Sequence, residues 1–171
     1  TLESISAGAY LKGEKELAYM AVLLGRSLRY SISQPDDTVT VRQELDELHD
    51  YMELQKIRYK EQLNFCVSIE EELYDHRILK LLLQPLIENA VKHNVISKQY
   101  PLQIDVYTTK ESQLVVSNRV QPKVEKSTGS GIGLKNLWGR YRMLTGKDIH
   151  ISNRKDYFKV TLPLLNGNGR V

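Results

Sequence analysis

Three glycines at alternate positions, followed directly by an amphipathic helix, form the most informative stretch of the chain. Residues 129–137 read GSGIGLKNL. Glycines placed this way let backbone N–H groups close around a phosphate group at a helix N-terminus, where the helix dipole is positive. Leu134, Leu137 and Tyr141 recur at helical spacing and predict a helix over residues 134–144.

The spacing of these glycines excludes the two common phosphate-binding motifs. A dinucleotide-binding loop needs G-x-G-x-x-G directly after a strand, whereas the residues before Gly129 are polar and loop-like. A Walker loop needs G-K-[ST], but Lys135 lies between Leu134 and Asn136. Taken alone, the stretch also fits a flexible loop with a glycine hinge, so its interpretation depends on a second motif.

The second motif lies about forty residues earlier, where residues 82–93 read LLQPLIENAVKH. At helical spacing, Leu82, Leu86, Asn89 and His93 lie on one stripe. The carbonyl oxygen of Asn89 could bind Mg²⁺ while phosphates and water complete an octahedron. The same pattern also fits a structural asparagine whose hydrogen bonds are satisfied and a polar histidine at a helix end.

Length and composition limit the class of protein. The chain has 171 residues, 41% of them hydrophobic, and can bury a core of one domain of roughly 100 residues with an appendage. The single cysteine, Cys66, excludes an internal disulfide and a cysteine-rich zinc site. The formal charge of +3, with no basic block, predicts no nucleic-acid partner. No run of apolar residues is long enough to span a membrane.

The sequence of the N-terminal third of the chain predicts a helical hairpin. Residues 1–33 read as helix, in which Gly8 and Gly13 allow an early break. Thr40 and Gln43 form a capping box that begins a second helix. Two long helices joined by a short turn make an antiparallel hairpin, which cannot bury both of its apolar stripes. We therefore expect a second copy to complete a dimeric four-helix bundle.

After residue 62 the pattern changes to strands mixed with helices. We predict strands over residues 64–69, 102–108, 113–117, 149–152 and 157–162, and helices over 78–95 and 134–144. The fold class is α+β, with an antiparallel helical hairpin over residues 1–61, an α/β two-layer sandwich with a mixed sheet over 62–165, and a flexible tail over 166–171.

Together these motifs resemble the sensor histidine kinases of the LytS/YesM type, within the GHKL ATPase group that also contains gyrase. Residues 82–93 match the asparagine box of that family, and residues 131–137 match its second glycine box. Residues 28–31, LRYS, are similar to the end of its first dimerisation helix, and residues 51–59, YMELQKIRY, to its second. The resemblance covers nearly the whole chain in the right order.

The resemblance implies the ATP-binding catalytic part of a two-component sensor kinase. Such a kinase transfers the γ-phosphoryl group of ATP to a histidine and then to an aspartate of a response regulator. It implies that Asn89 binds a Mg²⁺ ion bridging the triphosphate, and that Glu88 orients or polarises the attacking imidazole. Lys92 and His93 would contact phosphate or ribose. The lid over the phosphates would be shaped by Gly129, Gly131, Gly133 and Leu134.

The resemblance also implies partners and location. We expect a homodimer through the helical hairpin, and a response-regulator receiver domain as partner. The chain would be the cytoplasmic portion of a bacterial inner-membrane protein whose membrane segments lie upstream. In the family the accepting histidine lies in an H-F-x-F-N segment just before a stretch like residues 1–5. Because His49, His76, His93 and His150 lie in other contexts, we expect no autophosphorylation by this chain alone.

One family motif is missing at the adenine end of the site. The family carries a D-x-G-x-G box after the strand at residues 114–117, where this chain has Asn118, Arg119 and Val120. Asn118 offers the adenine amino group a neutral carbonyl oxygen but loses the charge-assisted bond of an aspartate. Without a glycine the backbone also cannot approach as closely. We therefore expect weakened or altered nucleotide binding.

Two alternatives remain open at this point. A pseudokinase, a dimeric scaffold with a degenerate nucleotide pocket that acts by binding a partner, is favoured by the altered box at Asn118. Another ATPase of the same fold, such as a serine kinase acting on an anti-sigma partner, is opposed by the helical hairpin and by His93 at the end of the asparagine box.

Overall fold

The computed structural model describes residues 1–33, 36–123 and 132–166. The α-helices in these ranges are α1 (Leu2–Leu11), α2 (Lys15–Ser33), α3 (Val41–Tyr59), α4 (Leu83–His93) and α5 (Ile132–Thr145). The strands are β1 (Thr38–Thr40), β2 (Leu63–Ser68), β3 (Arg77–Leu79), β4 (Leu102–Thr108), β5 (Gln113–Arg119), β6 (His150–Asn153) and β7 (Tyr157–Pro163). The chain is therefore mixed α and β, as the sequence predicts. The predicted tail from residue 167 onward lies outside the described residues.

The helix predicted over residues 1–33 is broken at Gly13 and continuous through Gly8. Gly13 has a φ of 80°, a left-handed conformation that favours glycine, and the chain reverses there. As a result α1 folds back along α2, where the Ser6 hydroxyl donates to the Ala18 carbonyl at 3.0 Å. The N-terminal region is thus itself a short antiparallel helical pair.

The capping box predicted at the start of α3 is confirmed. Thr40 Oγ1 accepts from the Gln43 backbone N–H at 3.2 Å, and Gln43 Oε1 accepts from the Thr40 N–H at 3.0 Å. On one side α3 lies antiparallel to α2. On its other side Val41, Leu48 and Met52 belong to the same hydrophobic core as the large sheet. The division into domains at residues 61 and 62 stays a prediction, but α3 packs with the residues that follow it.

The large sheet has the strand order β2-β4-β5-β7-β6. β2 runs parallel to β4, with Leu63 opposite Leu102, and the other neighbouring strands are antiparallel. This mixed sheet agrees with the predicted fold class. Along β4 buried residues alternate with partly exposed ones, as the period of a strand requires, whereas Leu114, Val115 and Val116 of β5 are all buried.

The helix predicted over residues 78–95 begins late, which is a correction. Ile78 instead pairs with Val39 in a two-stranded antiparallel sheet of β1 and β3, and both side chains are buried. Leu81 then adopts a φ of 58°, which ends the strand and separates it from α4. Pro85 lies in the first turn of α4, where its missing N–H would have no partner within the helix.

The helices α3, α4 and α5 cover one face of the large sheet and enclose the core. Tyr141 of α5 is fully buried there, and its hydroxyl donates to the Pro163 carbonyl of β7. Gly146, with a φ of 67°, ends α5 as predicted. Among the described residues, no helix combines the length and apolar character needed to cross a membrane.

Replacing Leu48 tests whether α3 is part of the core of the sheet domain. Leu48 is 1% exposed, so we expect Leu48→Ala to lower the free energy of unfolding by about 2–5 kcal/mol through lost burial and a residual cavity. The matched control is Met143→Ala, because Met143 of α5 is 78% exposed and its loss should cost below about 0.5 kcal/mol. Urea denaturation measures both, and equal effects would contradict the packing described here.

Candidate nucleotide-binding site

A cleft of about 480 Å³ opens where α4, the first turns of α5 and the ends of β5, β6 and β7 meet. This volume is within the range of small-molecule sites. The helix α4 forms one wall of the cleft and the sheet forms another. The segment that follows β5 forms a third wall. The cleft is lined by Asn89, Ala90, His93, Asn94, Asn118, Val120, Pro122, Lys123, Leu134, Asn153 and Phe158.

The wall formed by α4 follows from the amphipathic pattern of that helix. Leu86, Ile87 and Ala90 are buried in the core. Asn89 and His93, four residues apart and hence on one side of the helix, both line the cleft. The polar stripe predicted from the sequence therefore faces a cavity.

The C-terminal end of α4 is tied to the segment after β5. The buried Asn94 side chain donates through Nδ2 to the Ala90 carbonyl at 2.8 Å and accepts through Oδ1 from the Gln121 N–H at 2.6 Å. The Lys123 ammonium group donates to the Lys92 carbonyl at 2.7 Å. A cation at a helix C-terminus is favourable because the helix dipole is negative there. These bonds hold the third wall of the cleft in place.

The α4 end of the cleft is electropositive. Lys123 lines it, and Lys92 lies beside it on the exposed side of the helix. Partial burial, followed by the charges of Lys92 and Lys123, lowers the pKa of His93 below its usual value of 6.5. The imidazole is therefore neutral at neutral pH and can both donate and accept a hydrogen bond. This end of the cleft suits an anionic ligand.

Asn118 stands at the other end of the cleft, on the sheet. It follows the buried Leu114 and Val116 at alternate positions of β5, so its side chain faces inward and is only 4% exposed. Its Nδ2 donates to the Arg119 carbonyl at 2.6 Å, which orients the amide and leaves its oxygen as the acceptor. Phe158, its partner in the pairing of β5 with β7, supplies an apolar surface next to it.

The structure brings some of the predicted site residues together and leaves others apart. Asn89, His93, Asn118 and Leu134 all line the cleft, and Lys92 is exposed nearby. Gly133 is the second residue of α5, whereas Gly129 and Gly131 lie outside the described residues.

Glu88 does not line the cleft. Its carboxylate is exposed and accepts from Gln84 Nε2 at 2.8 Å. Burial, and next the negative charge of Glu88, raise the pKa of Tyr51 on α3, so this carboxylate lies on the side of α4 that faces α3.

Several lining residues were missed in the sequence. Lys123 lies in a polar loop whose path is decided by bonds to α4, some thirty residues away, so no local pattern marks it. Phe158 could have been found, because strand alternation places it on the same face as the buried Val160 and Leu162. Within the described ranges no group of three or more histidine, cysteine or acidic side chains could hold a metal ion.

Comparison with known proteins identifies the kind of chain that carries this cleft. The family model described as histidine kinase matches residues 1–63. The sensor histidine kinase YesM of Bacillus subtilis is 31% identical over 181 residues, which cover 97% of this chain and 31% of YesM. The chain belongs to the sensor histidine kinase family.

Other relatives agree with this family. The sensor histidine kinase BtsS of Escherichia coli K12 is 25% identical in an alignment that covers 91% of this chain and 29% of BtsS. The sensor histidine kinase/phosphatase LytS of Staphylococcus aureus is 29% identical over 64% of the chain and 22% of LytS. This histidine kinase chain spans about a third or less of the length of these curated relatives.

The fold is also that of a known histidine kinase domain. The nucleotide-free catalytic domain of the histidine kinase ThkA superposes with a TM-score of 0.53 at 21% identity. The superposition covers 78% of this chain and 97% of the ThkA domain. At this identity the likeness concerns the fold.

A charge change at Lys123 tests the electrostatics of the cleft. Because the Lys123 cation disfavours the imidazolium form, we expect Lys123→Gln to raise the pKa of His93 toward the ordinary value of 6.5. The amide of glutamine can still donate to the Lys92 carbonyl, which preserves the local fold. An NMR titration of the His93 ring protons measures the shift. Lys98→Gln, a charge change on an exposed residue, is the control, and an unmoved His93 pKa in Lys123→Gln would contradict this arrangement.

Proposed function

We propose that this chain is the ATP-binding kinase part of a two-component sensor histidine kinase. It would transfer the γ-phosphoryl group of ATP to a histidine, from which an aspartate of a response-regulator receiver domain takes it. The observation that carries the proposal is the convergence of Asn89 and His93 of the asparagine box with Leu134 of the glycine box on one cleft, in a chain of the histidine kinase family.

The α4 end of the cleft would hold the triphosphate. Lys92 and Lys123 supply positive charge there, and the neutral His93 can donate a hydrogen bond, which suits phosphate oxygens. Asn89 would bind Mg²⁺ through its side-chain oxygen, with phosphates and water as the other ligands. A single protein ligand fits the small number of protein oxygens that Mg²⁺ accepts in phosphate sites. When bound, the ion neutralises charge that develops on the phosphates.

The sheet end of the cleft would hold adenine. The Asn118 oxygen can accept from the adenine amino group, while Phe158 provides an apolar contact. Because that oxygen belongs to a neutral amide, the bond is weaker than one to a carboxylate. We propose that the chain binds ATP more weakly than it would with an aspartate-like acceptor in this place.

Glu88 would act on the histidine and not on ATP. Its exposed carboxylate lies one residue from Asn89, outside the cleft, where an imidazole brought in by another segment can reach it. We propose that it orients or polarises that imidazole. Gly129, Gly131 and Gly133, with Leu134, would form the lid over the phosphates.

The N-terminal helices would form the contact with a second copy. They carry a set of exposed apolar side chains, namely Ile5, Tyr10, Leu11, Leu17, Leu24 and Leu28. An apolar surface of this kind is typical of an interface between subunits. We propose a homodimer through α1 and α2, with α3 belonging to the catalytic domain. The chain would be the cytoplasmic portion of an inner-membrane sensor.

A pseudokinase is the second candidate, favoured by Asn118, Arg119 and Val120 in place of the acidic glycine box. In that case the chain would act as a dimeric scaffold. Titration with Mg-ATP separates the two functions, because a scaffold with a degenerate pocket would show no binding up to millimolar nucleotide.

Replacing Asn89 tests the proposed phosphate end. We expect Asn89→Ala to weaken Mg-ATP binding by about tenfold or more, since it removes a ligand of the ion. Isothermal calorimetry of the folded protein measures this. Asn64→Ala, on an exposed position of β2, should leave the affinity unchanged. In the presence of EDTA, Asn89→Ala and the unaltered chain should bind ATP with the same affinity. A difference in ATP affinity that persists would contradict Mg²⁺ binding by Asn89.

Replacing Asn118 tests the proposed adenine end. Adenine presents an amino donor where guanine presents an oxygen acceptor, so the Asn118 oxygen should favour ATP over GTP. We expect Asn118→Ala to weaken ATP binding about fivefold while GTP binding changes little. The Arg119 carbonyl that loses its donor belongs to an exposed residue, so water can replace the bond. Equal losses for both nucleotides in competition binding would contradict this role.

A further inference from the structure

The N-terminus of α4 is held by a side chain from another helix. Glu44 of α3 accepts backbone N–H bonds from Leu81 at 3.1 Å, Leu82 at 2.7 Å and Leu83 at 3.0 Å. Its side chain is buried, with 2% of the residue exposed. The first turn of a helix has N–H groups without partners inside the helix, and this carboxylate supplies the partners.

The N-cap residue of α4 offers no substitute for these bonds. Leu82 occupies the N-cap position of α4 and has no side-chain acceptor. Leu81, just before it, is in the left-handed region with a φ of 58°, which is strained for a branched side chain. A carboxylate at this end also interacts favourably with the helix dipole. The position of α4, and of Asn89 less than two turns further on, therefore depends on Glu44.

Glu44 is in turn bonded to the N-terminal helices. The Tyr30 hydroxyl of α2 donates to Glu44 Oε2 at 2.9 Å. The ammonium group of Lys80, a buried residue, lies 4.9 Å from the centre of the Tyr30 ring. Burial raises the pKa of the Glu47 carboxyl, and the positive charge of Lys80 opposes part of that rise. These four side chains, Tyr30, Glu44, Glu47 and Lys80, form a polar cluster where α2, α3 and the segment before α4 meet.

We propose that Glu44 is a positioning residue for the nucleotide-binding helix α4, and that the Tyr30 hydroxyl couples this position to α2. A change in how α2 packs would then release Tyr30 from Glu44, loosen the start of α4 and lower nucleotide affinity. The effect on nucleotide affinity rests on the proposed function. By thermodynamic linkage, a nucleotide bound at α4 would also strengthen the contact between Tyr30 and Glu44.

Tyr30→Phe tests the coupling with the smallest structural change, because it removes one hydroxyl and leaves the ring. Two quantities are measured on the full chain, namely the amide hydrogen exchange of residues 81–83 without nucleotide and the dissociation constant of Mg-ATP. We expect faster exchange at these amides and about threefold to fivefold weaker binding. Glu44→Gln should change both quantities in the same direction and further.

Arg26→Gln is the matched control. It removes another contact between α2 and α3, the ion pair of Arg26 with Asp50 at 3.6 Å, without touching Glu44. We expect it to leave the exchange of residues 81–83 and the Mg-ATP affinity unchanged. If the role of Tyr30 were only structural, Tyr30→Phe would lower the free energy of unfolding. It would leave the exchange of residues 81–83 and the Mg-ATP affinity of the folded protein unchanged.

The outcomes are distinguishable. Unchanged exchange at residues 81–83 in Tyr30→Phe, or an equal effect of Arg26→Gln, would overturn the inference. Faster exchange with unchanged Mg-ATP affinity would overturn the coupling to the site. If the unaltered chain bound no Mg-ATP, the proposed function would fail, and the exchange rates would still support or overturn the positioning role of Glu44.

Discussion

The rest of the site depends on how α4 is held in place. Its apolar face, with Leu86 and Ile87, packs into the core, and both of its ends are held by side chains that come from elsewhere in the chain. Glu44 supplies the acceptors at the N-terminal end, while Asn94 and Lys123 tie the C-terminal end to the wall after β5. Because all these contacts act on one short helix, they fix the orientation in which Asn89 and His93 line the cleft.

Much of the fold and of the cleft could be predicted because local sequence patterns determine it. The capping box of Thr40 and Gln43 is a four-residue signal, the strand β4 follows from alternation, and the strand β5 follows from a short apolar run. The stripe of Asn89 and His93 follows from helical spacing. In each case the residues that decide the structure are neighbours in the sequence, so their chemistry and spacing are sufficient to predict the element.

The features that escaped prediction depend on distant residues. Ile78 lies in an apolar run that fits a helix or a strand equally well, and only its pairing with Val39 decides for the strand. Glu44 reads as an ordinary polar position of an amphipathic helix, yet it caps a helix 39 residues later. Lys123 likewise acquires its role only when the loop folds onto α4. Sequence periodicity carries no information on such contacts.

The two ends of the cleft differ in how their polar groups are held, and this difference bears on the chemistry. At the proposed adenine end, the side-chain amide nitrogen of Asn118 donates to the Arg119 carbonyl. A carboxylate there would place an oxygen against that carbonyl, so the neutral amide is part of the local bonding and not simply a lost charge. At the proposed phosphate end, Lys92, Lys123 and the neutral His93 lie near the C-terminal half of α4, which carries Asn89. In the proposed function, selectivity for the base and binding of the phosphates would therefore rest on different elements, and α4 with its anchors would hold the side chains that contact the phosphates.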